Sequence, residues 1–187
     1  MIRNRELSQP PGETATPGDR TALDDLFALT YEELRRVASA LKSQDPGATL
    51  NPTALVNEAW LKLAASPGFN PSSRLHFKRT AARAMRQIVI DGARRRAAQK
   101  RGGPEICVTL EESAAMVTME SEELLALNGA LEELARMNSR QAMMVESRFF
   151  GGLEISEIAE LLEISEATVL RDWRAARAWL ASELRKR

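Results

Sequence analysis

Apolar positions recur along the chain with helical period almost throughout. Between residues 21 and 42 they fall at Leu23, Leu26, Phe27, Leu34, Val37, Ala38 and Leu41, which predicts one or two helices with a break near Thr30. Asn51 before Pro52 has the form of an N-cap followed by proline at the first helical position. It opens a helix to about residue 65 with Leu55, Val56, Ala59, Trp60 and Leu63 on its apolar face. Residues 66–73 are a Pro-, Gly- and Ser-containing loop, and a long helix follows from residue 74 to about 97, roughly 36 Å at 1.5 Å per residue. A second helical stretch carries Leu124, Leu127, Leu131 and Leu134, resumes from an N-cap at Ser139 and breaks at Gly151-Gly152. Few β-branched runs interrupt this pattern, so the predicted fold class is all-α.

The long helix can be placed on a wheel at ~100° per residue. With Phe77 at zero, Phe77, Ala81, Ala84, Met85 and Ile88 fall between about −20° and 80°, and Arg79, Arg83, Arg86 and Arg94 between about 180° and 260°. One face packs and the other is an arginine stripe. A solvated face is the ordinary explanation of such a stripe, but solvated faces usually mix signs for i,i+4 pairing. Here residues 74–101 hold ten basic residues and the single acid Asp91.

The last segment, residues 153–180, has the layout of a helix-turn-helix. Ile158, Ala159 and Leu162 face inward on its first helix, Ile164 plugs the turn, and Ser165 caps a second helix with Val169, Trp173, Ala176 and Leu180 as its core positions. The opposite face offers a small side chain at Ala167, then Thr168, Arg171, Arg174 and, beside them, Arg177. This arrangement suits approach to a major groove. A plain αα-hairpin within a bundle is the alternative.

Charge changes the picture only when it is counted by segment. The whole chain of 187 residues has 26 basic and 26 acidic residues, which by itself suggests no polyanionic partner. Yet residues 74–101 carry a net of +9, and residues 102–137, with eight Glu against Arg136, carry −7. A neutral total thus conceals a cationic face of the kind that binds nucleic acid, and an acidic linker that could dock on it. Residues 8–19, rich in Pro, Gly and Thr, predict a disordered tail. The organisation expected is a tail over 1–20, a helical domain over 21–100, a linker over 101–122 and a second helical domain over 123–187.

Other chemistry finds little support. One cysteine, Cys107, excludes an internal disulfide, and with the single histidine His76 it supplies neither a zinc ligand set nor a nucleophile-base pair. No metal, cofactor or enzymatic activity is expected. No apolar run approaches the ~20 residues of a membrane span, and no signal-peptide core is present, so a cytoplasmic location without membrane partners is the expectation.

The order of parts, an arginine-faced helical domain, an acidic linker and a helix-turn-helix, resembles bacterial RNA polymerase sigma factors of the extracytoplasmic-function (ECF) group. The most specific matches are LVNEAWLKL at 55–63, similar to the family's polymerase-binding helix, and FGGLEISEIAELLEISEATV at 150–169, similar to its fourth-region helix-turn-helix. The resemblance implies a sigma region 2 bundle and a region 4 helix-turn-helix joined by a linker. It implies that Leu55, Val56, Asn57, Glu58 and Trp60 dock on core RNA polymerase, and that Arg79, Arg83, Arg86 and Arg94 hold the −10 element of promoter DNA. Phe69, Asn70 and Ser72 would form a pocket for an extruded base, and Thr168, Arg171, Arg174 and Arg177 would read the −35 element.

Two features depart from the family pattern. Leu170, Asp172 and Ala175 stand where basic or polar residues are common. The segment NPTA at 51–54 replaces a run of acids, and no acid lies between Asp45 and Glu58. A subgroup of the family that lacks those acids is thought to regain the charge through threonine phosphorylation by a Ser/Thr protein kinase, and this sequence resembles it. Thr53, at the second helical position, is the expected phosphorylation site, with Thr49 as a second candidate. Beside free backbone N–H groups a phosphate is electrostatically favoured. A helix-turn-helix regulator that binds duplex DNA without polymerase is the alternative function.

Overall fold

The computed structural model describes residues 17–44, 50–102 and 121–186, and within them every regular element is an α-helix. They are α1 (Pro17–Gln44), α2 (Pro52–Ala64), α3 (Arg74–Gly102), α4 (Ser121–Met137), α5 (Ser139–Gly151), α6 (Ile155–Leu162) and α7 (Glu166–Leu184). The expected tail is shortened, because α1 begins at Pro17. Thr49, Cys107 and most of the expected linker lie outside the described residues.

Local chemistry explains where the helices start and stop. Asn51 Oδ1 accepts from the Ala54 N–H at 2.7 Å, with Pro52 opening α2 as expected. The cap of α5 is Asn138 rather than Ser139; its Oδ1 accepts from the Gln141 N–H at 3.1 Å. At the other end Gly152 takes the left-handed conformation, and its N–H donates to the Arg148 carbonyl at 3.1 Å. The break expected near Thr30 does not occur. Thr30 is fully buried and its hydroxyl donates to the Leu26 carbonyl at 2.8 Å, so the side chain is satisfied on its own helix and α1 runs through.

α3 lies between the two groups of helices. Phe77, Ala81, Ala84, Met85 and Ile88 pack towards α1 and α2, where Trp60 stacks on Phe27 with ring centroids 4.7 Å apart and meets Phe77 at 6.4 Å. On its other side α3 meets α4, α5 and α6. One continuous core therefore runs from Leu23 in α1 to Leu180 in α7. This second packing side was hidden on the wheel. Ala82, Ile90, Ala93 and Ala97 are all buried, and they occupy about 140° to 220°, overlapping the edge of the sector expected to be arginine stripe.

The junction between the two sides is close-packed at Gly151 and Gly152. A Cβ on Gly151 would stand 2.9 Å from the Ala82 Cβ, and one on Gly152 would stand 2.6 Å from Val37 Cγ2. Gly68 offers a control, having a similar φ of +70° and nothing within 4 Å of the place a Cβ would take. Gly68→Ala is expected to cost about 1 kcal/mol, the penalty of a left-handed backbone alone. Gly152→Ala is expected to cost about 2–4 kcal/mol, because the methyl must also displace Val37. Urea unfolding of the two variants against the wild type checks the difference; equal losses would show that the approach of Gly152 to α1 is not tight.

Candidate nucleic-acid interface

The arginine stripe of α3 divides into bound and unbound members. Arg79 and Arg83 make no ion pair among the described residues and line a cleft of about 430 Å³ with His76, Thr80 and Arg86. The far wall of that cleft is α5, through Ser139, Ala142, Met143 and Glu146. Arg86 reaches across it: its Nη1 donates to Glu146 Oε2 at 2.6 Å and its Nε to Asn128 Oδ1 at 3.1 Å. Arg94 is exposed and, among the described residues, pairs with Asp91, one turn away, at 3.5 Å. The four arginines expected to act together are thus in three different electrostatic situations.

Lys78, one residue before Arg79, carries a charge that the arginine pattern gave no reason to single out. Its side chain is 2% exposed, and its Nζ lies 2.8 Å from Glu33 of α1 and 3.0 Å from Glu157 of α6. Arg74 joins the same cluster through Glu33 and, at 3.5 Å, Glu157. A lysine this deeply buried needs such partners, since an unpaired charge there would be strongly destabilising. Burial pushes the Glu33 carboxyl upward, but hydrogen bonds and charge from Lys78 and Arg74 outweigh it and hold its pKa below the ordinary carboxylate value.

At the C-terminal end, α6 and α7 make the expected helix-turn-helix. Glu163 adopts φ 53° in the turn, the Ile164 N–H donates to the Ala159 carbonyl at 3.0 Å, and Ser165 caps α7 by accepting from the Thr168 N–H at 3.2 Å. Val169, Ala176 and Leu180 are buried, while Arg171, Arg174 and Arg177 are exposed on the outer side. Thr168 is half-buried, its hydroxyl 3.0 Å from that of Ser165, so it serves the cap first. Asp172 stands inside the helix-turn-helix: its Oδ2 accepts from Arg140 Nη2 at 2.6 Å and fixes α7 to α5. Leu170 is exposed among the arginines.

On α2 the residues expected to dock a partner separate by burial. Leu55 and Val56 are core, Trp60 is half-buried against Phe27, and Asn57 and Glu58 are exposed. Thr53, Asn57 and Leu61 follow one another at i,i+4 spacing on the open side, and Leu61 is 65% exposed. Leu61 was missed because the apolar run around it read as one face; its position one turn beyond Asn57 was the available signal. In the loop before α3, Phe69 turns inward to within 6.4 Å of Phe77, centroid to centroid, which leaves Asn70 and Ser72 alone exposed at the expected base pocket.

Among the described residues there is no cluster of metal-ligating side chains and no helix long and apolar enough to cross a membrane. The family model for ECF sigma factors matches residues 13–186. Neither a curated protein nor a solved structure matches the chain.

The depressed Glu33 pKa gives the packing of α1, α3 and α6 an acid limit. The carboxyl contributes stability that is fully present above its unfolded value of 4.5 and is lost as pH falls through its lower folded value. Thermal unfolding of wild type and Glu33→Gln should therefore differ at pH 7 and converge progressively below about pH 4.5. A gap that persists unchanged at pH 3 would show that the ionised Glu33 does not carry it.

Proposed function

The chain belongs to the ECF sigma factor family, and from that membership we propose a division of labour along it. Factors of this family bind core RNA polymerase and promoter DNA and act in transcription initiation, without catalysis of their own. In this reading residues 21–100 form the polymerase- and −10-binding domain and residues 123–187 the −35-binding domain. Arg79 and Arg83, with Arg86 and Arg94 beside them, hold phosphates of the −10 element, since phosphate contacts set register and supply most affinity. Arg171, Arg174 and Arg177 read the −35 element, with Thr168 near the groove edge. The observation that carries the reading is that α3 and α7 bury apolar sides in one core while each still presents exposed arginines outward.

Polymerase docking is assigned to the open face of α2. Asn57, Glu58 and Leu61 supply it directly, while Leu55, Val56 and Trp60 act from beneath by holding the helix on α1 and α3. Thr53 is exposed at the start of that same face, where a phosphate from a Ser/Thr kinase would add about −1.5 to −2 charges beside the helix N-terminus. Phosphorylation of Thr53 is thus the proposed switch for polymerase binding. Asn51 already caps α2, so the switch needs no refolding of the helix.

Two expected outcomes follow. With core polymerase and a cognate promoter, Arg171→Ala/Arg174→Ala should lower transcript yield by about tenfold or more, the loss of one or two base-edge contacts; full activity would remove α7 from promoter reading. Thr53→Glu or kinase-treated protein should bind core polymerase more tightly than untreated protein, while Thr53→Ala keeps wild-type stability. Equal binding and equal transcription by unmodified, phosphomimetic and kinase-treated chains would dispose of the switch.

A further inference from the structure

We propose that Leu170 reads the C5-methyl group of a thymine in the −35 element, beside guanines held by Arg171 and Arg174. The inference rests on α7 being the promoter-reading helix, as proposed above, and adds to that reading a base and the side chain that selects it.

The outward sector of α7 has an unusual chemistry. On a wheel at ~100° per residue with Ala176 at zero, the buried Val169, Asp172 and Leu180 fall within about 40° of it. Ala167, Leu170, Arg171, Arg174 and Ala178 fall between about 120° and 220°, and all five are exposed. Over the first three turns that sector offers methyl, isobutyl and guanidinium groups, with no amide, carboxylate or hydroxyl. Thr168 lies outside it, its hydroxyl 3.0 Å from that of Ser165 in the cap. The rotation of the helix is fixed from behind, because Val169 is fully buried and Asp172 Oδ2 accepts from Arg140 Nη2 at 2.6 Å. Leu170 stands between these two anchors in sequence and cannot turn into the core while they hold.

A lone exposed leucine is ordinary on a protein surface. The surroundings of Leu170 are what single it out. It is 39% exposed among three guanidinium groups. Arg174 and Arg177 make no ion pair among the described residues, and Arg171 has Asp172 at 3.9 Å, an acid already held by Arg140. An apolar protein surface laid on Leu170 would strip water from these cations without pairing them.

A duplex satisfies both kinds of group. Phosphates and the O6 and N7 atoms of guanine accept from arginine, and the thymine methyl is the apolar group that the major groove displays. Adenine is read by Asn or Gln, and α7 contains neither. Ala167, one turn earlier on the same sector, leaves room for the backbone to approach the base edges, which a side chain as short as leucine needs in order to reach a methyl.

Promoter duplexes randomised over the −35 element, captured by the full chain bound to core polymerase and sequenced, test this. Wild type should enrich a thymine beside guanine, and Leu170→Ala should keep the guanines and lose the thymine. In the enriched duplex, deoxyuridine in place of that thymine removes one methyl group and nothing else. Wild type should bind it about fourfold more weakly, the worth of one buried methyl, while Leu170→Ala binds the two duplexes equally. Where cytosine replaces the thymine, 5-methylcytosine should tighten binding by wild type over plain cytosine and leave Leu170→Ala unmoved. Leu170→Met, apolar and of similar volume, should retain the sensitivity to the methyl group.

Both substitutions leave the buried side of α7 and its pair with Arg140 in place, so thermal unfolding should match wild type. Equal binding of thymine and deoxyuridine duplexes by wild type, or a methyl effect that persists in Leu170→Ala, would overturn the assignment while leaving the arginine contacts intact. A complex that captures no preferred −35 sequence, and that Arg171→Ala/Arg174→Ala does not alter, would overturn the promoter reading of α7 and this inference with it.

Discussion

The structure depends on α3 dividing its surface among two groups of helices and a charged sector. A helix of 29 residues, about 43 Å long, gives one side to α1 and α2, a second to α4, α5 and α6, and has only the remaining sector for charge. Small side chains make this possible. Ala81, Ala82, Ala84, Ala93 and Ala97 are all buried, so helices approach α3 closely from both directions without crowding. Larger residues at these places would force a choice between the two halves, and the continuous core from Leu23 to Leu180 would divide.

The electrostatics follow from that geometry. A net charge of zero and a segment of +9 are both true of this chain, and the folded molecule reconciles them by position. The acidic partner expected for the cationic helix was the linker over 101–122, most of which lies outside the described residues. The partners seen are Glu33, Glu146 and Glu157, which come from α1, α5 and α6, two of them from a segment that is neutral by count. Segment sums cannot reveal this, because pairing in a fold is decided by which side chains share a buried junction. Lys78 has its importance from burial, and burial of a lysine has no signature in composition.

Features governed by a few consecutive residues were legible in the sequence. The Asn51-Pro52 start of α2, the Gly152 stop of α5, and the Ile164 and Ser165 junction of the helix-turn-helix each arise from backbone groups that a neighbouring residue satisfies. Thr30 shows the opposite limit. The gap in apolar spacing there was a reason to expect a break, yet the buried hydroxyl bonds back to the Leu26 and Phe27 carbonyls of its own helix, and the helix continues. The second side of α3 was present in the sequence as Ala82, Ile90, Ala93 and Ala97, but the arginines interleaved with it dominated the pattern. The pattern on α2 was likewise mixed: Leu55 and Val56 share a segment with Asn57 and Leu61, and only packing tells which pair is core.

Glu157 has two duties that use different atoms of its surroundings. It accepts from the Glu154 N–H at 2.9 Å, closing the cap of α6, and it reaches Lys78 across the junction with α3. The cap lies wholly within the helix-turn-helix, and two further contacts tie α7 to α5: the Arg140–Asp172 pair and the Arg148 guanidinium 5.4 Å from the centre of the Trp173 ring. None of these depends on α3. The C-terminal half therefore orders α7 through contacts of its own.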